Sequence, residues 1–117
     1  MNKEILDLDE FMERVQDDKE LLLELLDIFS EDYTKKRILL EKNIKKNDYN
    51  EVRGIAHSLK GASSNISAKP LHQLMSDLED AGINQVLDGA EDLLKRLDVE
   101  YKKLSDEMDE IKKSLSE

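Results

Sequence analysis

The sequence predicts an all-α domain: an antiparallel up-down-up-down four-helix bundle with a short N-terminal helix capping one end. Three observations point there. Residue usage leans on Leu, Glu, Lys, Asp and Ala, with one Pro, four Gly, three Tyr, two Phe and no Trp in 117 residues, a profile rich in helix formers and poor in breakers. Apolar residues recur at alternating steps of three and four through most of the chain. The connections between these runs are only a few residues long, which makes consecutive helices antiparallel neighbours. Length and the lack of a Pro/Gly/Ser-rich break predict a single domain over residues 1–117, with the four-helix core at about 18–115.

The elements follow in order. Asp9 is the expected N-cap of a short first helix, about 9–15, whose Phe11, Met12 and Val15 are spaced to dock on something larger. Asp17 and Glu20 stand in capping-box spacing before a second helix, residues 19 to about 46, with a seam of Leu22, Leu25, Phe29, Tyr33, Leu40 and Ile44. Lys45 and Lys46 oppose the negative end of its dipole, and Asp48 with Glu51 opens a third helix at Tyr49 that runs to about Asn65 or Ile66. Ser67 is the expected cap of a fourth helix, with Pro70 in the first turn, where a missing N–H costs little, and an apolar stripe of Leu71, Leu74, Met75, Leu78 and Ala81. Gly82 followed by Ile83 predicts a left-handed C-terminal cap, and Asn84 then caps a last helix from 85 to about 115. Its seam runs Leu87, Ala90, Leu94, Leu97, Tyr101, Leu104, Met108, Ile111 and Leu115, and it is expected to pair with the second helix.

Composition removes several function classes. A net charge of −10 disfavours nucleic acid or an anionic membrane as a partner, since both bind through Lys and Arg. Without cysteine there is neither a disulfide scaffold nor a thiolate metal site, and no apolar run approaches the roughly 20 residues that span a bilayer. The acidic opening segment does not read as a secretory signal. A cytoplasmic monomer with protein partners, no metal and no bound cofactor is expected.

The third helix carries the chemistry. At about 100° per residue, with His57 at zero, Val52, Ile55, Ala56, Leu59, Ala62 and Ile66 cluster around roughly 200°. Arg53, Gly54, His57, Lys60, Gly61 and Ser64 lie within about 60° of zero, so His57 should face solvent. Gly54 and Gly61 flank it at i−3 and i+4, each costing about 1 kcal/mol of helix stability relative to alanine. Bare backbone around an exposed imidazole lets a partner's concave site close over the ring. Lys60 shares the face and can lay its ammonium beside a phosphoryl group attached to the ring, and Arg53 adds attraction for an acidic pocket. A neutral imidazole is a nucleophile near pH 7, and one of its nitrogens must be held as N–H for the other to attack. Glu79, at the edge of the fourth helix's stripe, is a candidate for that acceptor, while His72 on the same flank reads as structural or surface.

The run Ala56-His57-Ser58-Leu59-Lys60-Gly61-Ala62-Ser63-Ser64-Asn65-Ile66, followed by Leu78-Glu79, resembles the histidine phosphotransfer (HPt) signature H-x-L-K-G with its downstream N-[IVL]-G-A and L-E. Residues from about 9 to 110 fit the family's short helix and four-helix bundle. The resemblance implies a phosphorelay intermediate with His57 as phosphoacceptor on the nitrogen distal to the backbone, Lys60 as phosphate-stabilising cation and Gly61 as clearance. It also implies that Glu79 occupies the position that often carries a Glu or Gln bonded to the ring. A sensor or hybrid histidine kinase or a receiver domain would be the donor, and a response-regulator receiver aspartate the acceptor. The chain would have no ATP site, with magnesium and the catalytic machinery in the receiver. Docking is expected on the His57 face, with Arg53, Gly54 and Ser64, and on apolar residues near the first helix such as Phe11 or Met12. Ser67 departs from the pattern, since the family often has glycine there.

Three rival readings stand beside it. A non-phosphorylated interaction module would dimerise through Leu87 to Leu115. A carboxylate-bridged metal bundle needs Glu-x-x-His pairs, but Gly54 and Lys69 stand three residues before the two histidines. A kinase dimerisation domain fits the H-x-L-K-G context and a single four-helix chain poorly.

Overall fold

A computed structural model describes residues 2–116. The described residues form five helices: α1 (Leu8–Arg14), α2 (Lys19–Lys45), α3 (Tyr49–Asn65), α4 (Lys69–Ile83) and α5 (Ala90–Leu115). Each of α3 to α5 runs antiparallel to the one before it, and α5 returns beside α2. The two long helices, 27 and 26 residues, are joined along their length by Lys112–Asp27 at one end and Arg37–Asp98 farther down. Between these ion pairs the Tyr33 and Tyr101 rings stack with centroids 3.8 Å apart.

The helices form because each seam finds the same interior. Leu22, Leu26, Phe29, Tyr33, Leu40 and Ile44 of α2 meet Val52, Ala56 and Leu59 of α3, Leu71, Leu74, Met75 and Leu78 of α4, and Ala90, Leu94, Leu97, Leu104, Met108 and Ile111 of α5. Leu26 takes the place expected for Leu25, which is only half-buried. The heptad edge of α5 is therefore buried inside this chain.

The helix starts differ from the sequence reading in detail. The α1 cap is Asp7, not Asp9: its carboxylate accepts from the Glu10 amide, and its own N–H donates to the Ser67 carbonyl at 3.0 Å. Asp18 caps α2 in place of Asp17, which is left-handed with φ 62°. Asp48 caps α3 as expected. Neither Ala68 nor Gly89, the residues that precede α4 and α5, supplies a side-chain cap, and α5 starts at Ala90, well after Asn84.

The ends of α1 to α4 share one device. In each, the residue after the C-cap is left-handed, and two backbone bonds fold back onto the last turn. Gln16, Asn47, Ser67 and Gln85 hold these positions with φ of 54°, 55°, 61° and 56°. At α4, for example, Gln85 N–H donates to Gly82 C=O and Val86 N–H to Ala81 C=O, at 3.2 and 3.0 Å. None of the four is glycine, which is why the sequence pointed to Gly82 instead. Ser67 stands where the resemblance expects glycine because the position is left-handed. Its hydroxyl donates to Glu10 Oε1 at 2.8 Å, tying α1 to the α3–α4 turn.

Gly82 is not a left-handed cap. It lies in the last turn of α4 against α3, where a Cβ would come within 2.9 Å of Tyr49 O and Arg53 N. The glycine lets two helix backbones touch.

Gly82→Ala is expected to cost about 1–3 kcal/mol, as overpacking against a backbone does, and urea denaturation measures it. Gln85→Gly is expected to raise stability by about 0.5–1 kcal/mol through relief of the left-handed strain, read from the same transition, with Asn47→Gly giving less because Asn tolerates that conformation.

Candidate functional site

The third helix buries Val52, Ala56, Leu59 and Ser63 and turns the opposite face to solvent. Ser63 holds a core position because its hydroxyl donates back to the Leu59 carbonyl at 2.8 Å; Ile55 and Ala62 are half-buried beside it. His57 stands at the middle of the outer face with its side chain 71% exposed.

Glu79 comes to it from α4. Residue 79 is buried, its side chain 10% exposed, and its two oxygens part between two partners. Oε2 accepts from His57 Nδ1, and Oε1 from the Lys60 ammonium, each at 2.5 Å. The Lys60 ammonium holds the Glu79 carboxyl below the usual carboxylate range; burial opposes this and the His57 bond assists it. An ionised carboxylate only accepts hydrogen bonds, so the proton of the neutral ring sits on Nδ1. That leaves the Nε2 lone pair without a partner among the described residues, on the nitrogen farther from the backbone. The ring is oriented, with Nε2 on the side away from the nitrogen that Glu79 holds.

The surroundings sort the other expected residues. Arg53, Gly54, His57, Glu79 and Ile83 line one open groove between α3 and α4. A Cβ on Gly54 or Gly61 would meet nothing within 4 Å, in contrast to Gly82. No packing inside the chain asks for glycine at either place. Lys60 is brought to Glu79, and its ammonium is engaged there. Ser64 is half-buried, and its carbonyl accepts the Ser67 amide in the cap of α3. His72 is half-buried, with Nδ1 3.2 Å from the Lys60 carbonyl, a structural contact. Phe11 is corrected: with 0% exposure it belongs to the core, because it is the side chain by which the seven-residue helix docks, the one residue of α1 that is fully buried. Met12 is half-buried.

One residue escaped the sequence reading. Lys36 of α2 donates to Ser58 Oγ at 2.6 Å and to Asp32 at 3.0 Å, placing a second cation next to the residue that follows His57. Its signal was a charge at a seam position, three residues after Tyr33 and four before Leu40.

A sequence model of the family described as "Hpt domain" matches residues 8–114. Among solved structures, the chain is similar to histidine-containing phosphotransfer protein B (HptB) from Pseudomonas aeruginosa PAO1, at 25% identity and a TM-score of 0.80 over 98% of this chain and 97% of that one. A search of curated protein sequences gives no match.

Because the Glu79 carboxyl is depressed, its contribution to stability is complete above the ordinary carboxylate range and fades as pH falls through the lower folded value. Wild type is therefore expected to exceed Glu79→Gln in urea midpoint at pH 7, and the gap to narrow below about pH 4.

Proposed function

The chain belongs to the Hpt domain family, a family of phosphotransfer carriers in phosphorelays, and from that premise we propose that His57 is the residue that carries the phosphoryl group. The observation that carries this reading is a ring 71% exposed whose Nδ1 is held by a buried carboxylate. In the forward step the Nε2 lone pair attacks the phosphorus of a receiver's aspartyl phosphate. The P–N bond forms, the P–O bond to the aspartate breaks, and the aspartate leaves as a carboxylate. The proton stays on Nδ1, so the ring gains a positive charge that Glu79 faces directly; the reverse step returns the phosphoryl group and a neutral ring. Electrostatic support placed where charge develops is what favours such a step.

The chain acts as a carrier, and the machinery for the reaction belongs to the partner kinase or receiver. Gly54 and Gly61 give that partner room to approach, and Arg53 offers a charge to its acidic pocket. The apolar part of the docking surface moves from Phe11 to α2, where half-buried Leu25 and Ile28, 53% exposed, line a shallow groove with Ala62 of α3. The interaction-module reading loses its main support, since the α5 seam is buried within the bundle.

Incubation with a phosphorylated receiver domain is expected to give acid-labile, base-stable label on the wild type and none on His57→Gln. Gly61→Ala is expected to leave the fold as stable or up to about 1 kcal/mol more stable, while slowing transfer. An equally fast Gly61→Ala would remove the clearance role.

A further inference from the structure

We propose that the groove between α4 and α5 is a second docking surface, one that takes an acidic amphipathic helix of another protein and leaves the His57 face free. Nothing in it depends on the reading of His57.

Pro70 and Leu74 of α4 and Val99 of α5 line a groove of about 420 Å³, with Lys95, Arg96 and Glu100 along its α5 side. Past Pro70 and Glu100 it meets a second hollow, bounded by Ile5, Glu4 and Lys103. From Lys95 to Lys103 the α5 wall covers about two turns, or about 12 Å, enough to seat two turns of a partner helix.

The groove faces away from His57. Around α4 the edge of Pro70, Gln73 and Leu74 lies on the order of 150° from Glu79 and Ile83, which line the groove beside the imidazole. A partner seated here does not cover the ring.

Charge identifies the occupant. Val99 is 57% exposed, and a single exposed valine is ordinary on a protein surface. Its company is not: Lys95, Arg96, Lys102 and Lys103 fill all four positions one turn before and one turn after it, in a chain whose acids outnumber its bases 28 to 18. Lys103 pairs with Glu100 at 3.4 Å and Lys102 with Asp106 at 2.8 Å, and the nearby Asp77 accepts from the Gln73 amide. Lys95 and Arg96 are exposed and make no ion pair among the described residues. Two free cations therefore stand beside an apolar floor at the end of the groove away from Glu4.

A cleft between two antiparallel helices suits the edge of a third, whose apolar residues at i, i+3 or i+4 and i+7 enter it while flanking Asp or Glu meet the cations. The net charge of −10 works against nucleic acid, an anionic membrane or a second copy of this chain in the same place.

The test titrates isotope-labelled full-length protein with an acidic helical peptide of about 18 residues, or about five turns, carrying leucines along one edge and glutamates beside them. Two control peptides replace the leucines by serine or the glutamates by lysine. Amide shifts are expected at Leu74, Lys95 and Val99, saturating below about 1 mM, with neither control binding. The exposed double variant Lys95→Glu/Arg96→Glu, checked for unchanged helicity, is expected to weaken binding about tenfold. Labelling of His57 by a phosphorylated receiver domain is expected to change by less than about twofold with the groove filled, because the two surfaces are separate.

No saturable shift, equal binding by either control, or shifts confined to Ile28 and Ala62 overturns the proposal. So does labelling that slows in step with peptide occupancy. A peptide-free dimer that the double variant dissolves assigns the groove to a second copy, and dodecanoate shifting these amides where the peptide does not assigns it to a small amphiphile; either result also overturns it. The titration needs no phosphoryl donor, so absence of label on His57 sinks the proposed function and leaves the groove measured.

Discussion

The close approach of α3 and α4 at Gly82 sets the rest of the site. With no side chain at that position, the α4 backbone comes to rest against Tyr49 and Arg53. Glu79 is one turn back along α4, and His57 is one turn on along α3. The spacing fixed by a missing methyl group is therefore the spacing at which a carboxylate meets an imidazole. Packing at one turn decides chemistry at the next.

The three interior-helix glycines show how a single residue type serves opposite ends. Gly82 is required by contact within the chain, whereas Gly54 and Gly61 face open space on the outer side of α3. Helical glycine costs stability in every case. On the reading proposed here, where no internal contact recovers that cost the gain comes from an encounter with another molecule, centred on the exposed His57 between Gly54 and Gly61. The bundle behind it, with Leu59, Ala56 and Val52 wholly buried, keeps the outer face from shifting when a partner leans on it.

Much of this was legible in the sequence. The seams of α2, α4 and α5 came through because apolar spacing follows directly from helical geometry, and the His57 face came through for the same reason. Helix ends were harder. Several residues near each end were chemically able to cap, so Asp9 and Asp17 competed with Asp7 and Asp18, and only the backbone conformation decided between them. The left-handed positions carry Gln, Asn and Ser, so the usual glycine signal was absent where it belonged and present, at Gly82, for another reason. Phe11 was misplaced because a helix of two turns has too little length to show which face is buried. The split of Glu79 between His57 and Lys60 lay beyond reach altogether, since it depends on how close α4 comes to α3.

A ring with 71% of its side chain open to solvent has no lid of its own among the described residues. On the reading proposed here, the cargo it carries is shielded by none of the described residues, so its lifetime between deliveries is set by the intrinsic hydrolysis of a phosphorus–nitrogen bond in water. Such a molecule is a courier and not a store: any lasting record of the signal has to be kept by the proteins on either side of it.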